Sequence, residues 1–136
     1  LFPALASDIA EYGIPVTRPA CLIAGGETTV TLRGNGLGGI NQEMALAVLT
    51  LLDEKKPGHR NAVFLSAGTD GNDGPTDAAG AFASMELKQA AEKQGLSALE
   101  YLQENDSYHF FEQIGGLLKT GPSGTNVCDM QILIVP

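Results

Sequence analysis

The stretch from Gly25 to Glu43, GGETTVTLRGNGLGGINQE, constrains this chain most. Ala20 to Ala24 (ACLIA) reads as a short apolar strand and Gly25-Gly26 as a turn. Thr28 to Arg33 alternates polar and apolar residues as a half-buried strand does, so the pair predicts an antiparallel hairpin. A glycine loop and the polar first turn of an apolar helix follow directly. Strand, glycine loop and helix in that order place bare backbone N–H groups and the positive end of a helix dipole at one point, a ready-made anion site.

The remaining elements predict an α/β domain, a mixed β-sheet flanked by helices. Residues 1–18 hold a helix with Leu5, Ile9 and Tyr12 on one face, stopped at Gly13, and a proline-bearing linker; they read as the tail of a preceding unit or as a packing helix. Residues 19–136 form the main domain. Met44 to Leu52 continue an apolar helix, and Lys55 and Lys56 suit its C-terminal dipole. Ala62 to Ala67 (AVFLSA) reads as a central strand. A helix is expected from about Ala78 to Gln94, capped by Thr76 or Asp77, and shorter helices begin at Ser97 and Ser107. Asp129 to Val135 closes the chain as a buried strand.

Charge narrows the partners. Eight Lys+Arg against sixteen Asp+Glu give a net charge of −8, which repels nucleic acid and anionic membrane. Cys21 and Cys128 lie in apolar runs without a CxxC pair and read as buried, reduced thiols of a cytoplasmic protein. The chain starts at Leu1 with no basic, signal-like region, as a piece of a longer protein would.

Three polar loops carry candidate chemistry. Gly34, Gly36 and Gly39 satisfy G-x-G-x-x-G, with Asn35 and Gly38 between them and Asn41, Gln42 and Glu43 opening the helix. Glycines there let a diphosphate touch the backbone; the plainer reading is a flexible connection. A nicotinamide site is disfavoured because the preceding strand alternates and no acidic residue ends the next one. The second loop, GTDGNDGPTD, carries Asp70, Asp73 and Asp77, close enough in sequence to hold Mg²⁺. Turn chemistry and a helix cap explain the same residues. The third loop, Thr120 to Asn126, contains Gly121, Ser123, Gly124 and Thr125 and could form a nest of N–H groups. His109 beside Phe110 and Phe111 reads as a packing residue, and His59 as solvated. Glu27 could reach a ligand or a cation.

These stretches, with NDSYHFF and TGPSGTNVCDMQILIV, resemble in order the signatures of the MOFRL domain, the C-terminal half of class II glycerate 2-kinases, often labelled hydroxypyruvate reductases. The resemblance covers about residues 18–136. It implies ATP-dependent phosphorylation of D-glycerate at its 2-hydroxyl, with Mg²⁺, in a cleft between this domain and a Rossmann-like N-terminal domain. Carried over by position, Asp70, Asn41 and Glu43 are the catalytic candidates. Gly34 to Gly39, Gln42 and Thr120 to Asn126 are expected to bind substrate or phosphate, and Asp70, Asp73 and Asp77 the metal. One position departs: family members usually read GGRNQE where this chain has Ile40. The alternatives are a nicotinamide-dependent hydroxypyruvate reductase and a catalytically degenerate binding domain.

Overall fold

The computed structural model describes residues 1–136 as a two-layer α/β domain. In chain order the elements are α1 (Phe2–Tyr12), β1 (Ala20–Gly26), α2 (Ile40–Leu51), β2 (Val63–Gly68), β3 (Gly80–Ser84), α3 (Met85–Lys93), α4 (Ala98–Gln103), α5 (Ser107–Ile114), β4 (Leu117–Leu118) and β5 (Asp129–Val135). The strands form one sheet in the order β1-β5-β2-β3-β4. Every pairing is antiparallel, so the expected mixed sheet is corrected to an antiparallel one.

The reason lies after β2. The segment expected to open a crossover helix at Ala78 is instead β3, paired with β2 as Phe64↔Ala83 and Ser66↔Ala81. Ala81 and Ala83 are small enough for α2 to pack closely over the strand, and both are buried. Helix α3 therefore begins only at Met85, capped by the Ser84 hydroxyl, which accepts from Leu87 N–H. Thr76 and Asp77 cap nothing there.

Thr28 to Arg33 forms no strand, and the predicted hairpin is absent: β1 pairs with β5. The segment is held instead from the turn between α4 and α5. Asn105 Oδ1 accepts from Arg33 N–H at 2.6 Å and from Gly34 N–H at 2.9 Å.

The core lies between the helices and one sheet face. Ile9, Leu46, Leu49, Phe64, Phe110, Phe111, Leu133 and Val135 are its main members. Phe2 of α1 packs on Phe64 with ring centroids 4.5 Å apart. Ile9 is buried as expected, but Tyr12 is exposed, because the packing face runs through Pro3, Ala6 and Ile9. His59, expected in solvent, is buried: Nδ1 accepts from Asp53 N–H at 3.0 Å, and Nε2 lies 2.8 Å from Pro3 O, tying α1 to the end of α2. The cation at the C-terminus of α2 is Lys88, on the carbonyls of Leu52 and Thr50, rather than Lys55 or Lys56. Cys21 and Cys128 are free thiols as expected, but exposed rather than buried.

Candidate functional site

Antiparallel pairing puts the C-terminal end of β2 beside the N-terminal end of β5. Asp129 faces Gly26 on one side and Gly68 on the other. The N-terminus of α2 arrives at the same strand ends. A cleft of about 400 Å³ opens there, lined by residues of all three candidate loops: Gly38, Gly39, Ile40 and Asn41; Asp70, Asn72 and Asp73; and Asn126. Glu27 and Asp129 complete its wall. Four carboxylates line it and no Lys or Arg does.

The α2 N-terminus already holds an anion, and that anion is Asp73. Its Oδ1 accepts from Asn41 N–H at 3.0 Å and Asn41 Nδ2 at 3.3 Å. Its Oδ2 accepts from Gln42 N–H at 2.8 Å and Gln42 Nε2 at 2.9 Å. Four donors saturate this buried carboxylate, and it takes the place at the helix dipole that a phosphate would occupy. Asp73 thus acts as the anion at this helix end, with both oxygens engaged by Asn41 and Gln42. Asn41 is equally committed: Nδ2 also donates to Asp129 Oδ1 at 2.9 Å, and Oδ1 accepts from Ser66 Oγ at 2.6 Å. Asn41 and Gln42 position Asp73 and Asp129 and present no free donor of their own to the cleft.

Most of the glycine loop is also spent internally. Gly36 N–H donates to Glu104 O and Leu37 N–H to Asp106 Oδ1, both at 2.9 Å. Gly34 and Gly36 lie so close to Glu104 and Asp106 that a Cβ would collide, so these glycines serve packing. Asn35 is exposed and outside the cleft lining. Only Gly38 and Gly39 bring the loop to the cleft, and their N–H groups make no hydrogen bond within the protein. A dinucleotide fingerprint needs the amides that this loop has committed elsewhere.

Glu43 does not line the cleft. It is buried one turn into α2, where Oε2 accepts from Asn105 Nδ2 at 3.4 Å and Oε1 has no partner. Burial pushes its carboxyl above the usual range, against the pull of Asn105. That placement sets it apart from Asn41 and Asp70, the other two catalytic candidates, which do line the cleft. Asp77 is also elsewhere: it accepts from Tyr108 Oη at 2.8 Å and Lys119 Nζ at 3.0 Å on the surface. The Tyr108 hydrogen bond, followed by Lys119, holds the Asp77 carboxyl below its ordinary value, while the bond that Lys119 donates to Tyr108 Oη, followed by the one to Asp77, pushes Lys119 up to about 12. No three His, Cys, Asp or Glu side chains form a metal-holding group, so the expected Asp70, Asp73 and Asp77 cluster is not assembled.

In the third loop, Ser123 N–H donates to Asp70 O at 3.0 Å, and the Ser123 hydroxyl bonds the Thr69 carbonyl. Ser123 thereby braces the Asp70 turn from outside the cleft. Thr120, Gly121, Gly124 and Thr125 are exposed and outside the cleft lining; Asn126 alone reaches it. Asp129 was missed by sequence reasoning, which absorbed it into a strand. The available signal was an acidic residue opening an apolar strand directly after a glycine-rich loop.

Asp70 accepts at Oδ1 from Asn72 N–H at 3.0 Å, and its other oxygen has no donor within the protein; Asp129 likewise keeps one oxygen free. That donor set suits Mg²⁺, which takes one or two carboxylates and completes its shell with water and phosphate.

A model of the MOFRL family matches residues 20–129, and the chain belongs to that family. The D-glycerate 2-kinase of Thermotoga maritima is 46% identical over 121 residues, covering 89% of this chain and 28% of that protein. The glycerate kinase of Homo sapiens is 49% identical over 120 residues, covering 86% and 23%. The crystal structure of glycerate kinase from Thermotoga maritima superposes with a TM-score of 0.92 at 40% identity, over 98% of this chain and 31% of that one. The chain therefore spans between 23% and 31% of the length of these relatives. No helix in it is long and apolar enough to cross a membrane.

Proposed function

We propose that this chain, residues 1–18 forming a packing helix and linker and residues 19–136 the MOFRL-like domain proper, is one wall of the active site of a cytoplasmic glycerate 2-kinase. The reaction moves the γ-phosphoryl group of ATP to the 2-hydroxyl of D-glycerate: the bond from γ-phosphorus to the bridging oxygen breaks, a bond to the hydroxyl oxygen forms, and ADP and the hydroxyl proton leave. The remainder of a longer polypeptide, with a Rossmann-like domain, would form the opposite wall.

The observation that carries this reading is the meeting of Gly38 and Gly39, Asp70, Asn126 and Asp129 in one cleft. Phosphoryl transfer asks for positioning and charge stabilisation more than for covalent chemistry. Asp70 and Asp129 would hold Mg²⁺, which would supply positive charge to offset that of the phosphate groups. The free N–H groups of Gly38 and Gly39 would orient a phosphate or carboxylate oxygen. Asp73 keeps α2 in place so that those amides and Asp129 face the same space. The cleft has no cation of its own, so the Lys or Arg that such a transfer needs would come from the opposite wall. Ile40 lines the cleft at the position where the family usually has arginine, and it supplies no charge. The free thiols Cys21 and Cys128 suit a reducing compartment.

The test is a chimera of the Thermotoga maritima D-glycerate 2-kinase in which this chain replaces the matching segment. With ATP, Mg²⁺ and D-glycerate it should form 2-phosphoglycerate. A folded chimera without turnover would overturn the kinase reading for this chain, and NADH oxidation on hydroxypyruvate would replace it with the reductase.

A further inference from the structure

All five helices pack on one face of the sheet. The strand residues in the core, Ala20, Phe64, Ala81, Ala83, Leu133 and Val135, share one side of the pleat with Ala6, Ile9, Leu46, Ala91, Phe110 and Phe111 from the helices. The side chains between them point the other way. Pairing sets Ile23 beside Ile132, Ile132 beside Leu65, and Leu65 beside Phe82, an unbroken apolar row across four strands. A second row runs Cys21, Ile134, Val63, Ser84 and a third Gly25, Met130, Ala67, Gly80. No charged residue stands in any of the three. Ile23 is 68% exposed, Ile134 45% and Val63 38%. An antiparallel sheet that keeps one face in water carries polar residues on it. This one carries valine and phenylalanine on both sides and isoleucine on the outer one, the signature of a face meant to be covered.

We infer that this second sheet face is the docking surface for the part of a glycerate-kinase polypeptide that this chain does not span, an apolar surface bordered by Lys and Arg. Three observations choose that occupant. The relatives extend well beyond the matched region, this chain overlaying 31% of the Thermotoga maritima structure. The face ends beside the cleft: Met130 and Ala67 of its third row are the chain neighbours of Asp129 and Gly68, which line the cleft from the strand ends. A wall laid over the sheet would thus reach the site that lacks cations. Charge argues against a second copy of this chain, because self-association would bring together two molecules of net charge −8 with acidic clefts beside the contact. The inference rests on the kinase reading only for the identity of the occupant.

Cys21 reports on the face directly, being exposed within its second row. In the isolated 136-residue chain, maleimide labelling of Cys21, followed by peptide mass mapping, should proceed at the rate of an open thiol, and sedimentation velocity should give a monomer. In the chimera, labelling should slow by about 100-fold or more, as burial under a docked domain demands. Rapid labelling in a folded chimera overturns the inference, as does an isolated chain that dimerises and protects Cys21. Should the chimera not fold, a cysteine placed in the intact Thermotoga maritima enzyme where its structure superposes on Ile23 answers the question: protection supports docking, open labelling overturns it. Protection of Cys21 without kinase turnover would sustain the docking face while sinking the kinase reading.

Discussion

At the N-terminus of α2 the protein answers a helix dipole with its own carboxylate, whereas three residues earlier in the same loop it leaves a carboxylate open to the cleft. Asp73 is buried and takes four hydrogen bonds from Asn41 and Gln42. Asp70 takes one, from Asn72, and lines the cleft with an oxygen to spare. The difference teaches that a polar loop after a central strand can be half scaffold and half site. The scaffold half is recognised by saturation of its lone pairs, the site half by their vacancy.

Breaking the scaffold half should have the largest effect. Asp73→Ala strips the partner from two helix N–H groups and two side-chain amides in a buried place; about 3 kcal/mol of stability should be lost in urea unfolding. Asp70→Asn keeps the acceptor for Asn72 and should leave stability within about 0.5 kcal/mol of the parent. A loss at Asp70 as large as at Asp73 would erase the contrast.

Ile40→Arg sharpens the site half. A guanidinium on the wall of a cation-free cleft should raise turnover of the chimera, by up to about 100-fold given what one well-placed donor contributes to a developing charge. Unchanged turnover would mean the opposite wall already supplies that charge.

Asn105→Gly tests the clamp on the segment that enters the glycine loop. Glycine keeps the backbone angle, φ 54°, and removes the acceptor for Arg33 and Gly34, so a loss of about 1–2 kcal/mol is expected. Hydrogen exchange at Arg33 and Gly34 should quicken.

The smallest effect concerns Glu43. Its folded carboxyl titrates above its ordinary value of 4.5, because burial disfavours the charge. Between the unfolded and folded values the native state binds more protons, so Glu43 makes stability fall as pH rises through that window and stay lowered above it. Glu43→Gln should abolish that component, seen as a flatter pH dependence of the denaturation midpoint than in the parent.

Much of this was legible in the sequence. Gly13 closed α1, Ser97 capped α4 by accepting from Glu100 N–H, and the apolar runs of α2, β2 and β5 stand where their periods placed them. The order of the polar loops carried the family resemblance, and they do meet. What stayed hidden was pairing and partnership. The alternation of Thr28 to Arg33 looks like a strand, but Asn105, more than seventy positions on in the chain, decides its conformation. Ala78 to Ser84 looks helical because alanine favours helices, yet as β3 those alanines leave room for α2 against the sheet. Three aspartates within one decapeptide cannot reveal that Asp73 spends its oxygens on Asn41 and Gln42, that Asp77 goes to Lys119, and that of the three only Asp70 offers the cleft an oxygen without a partner, as Asp129 does.

The central claim, that open carboxylates at the ends of β2 and β5 form the metal-holding wall of the cleft, is tested most directly by titrating Mn²⁺ into the ¹⁵N-labelled chain. Paramagnetic broadening centred on Gly68 to Asn72 and on Asp129, and competed away by Mg²⁺, is the predicted result. Broadening centred on Asp77 and Lys119, or spread evenly over the acidic surface, would contradict it.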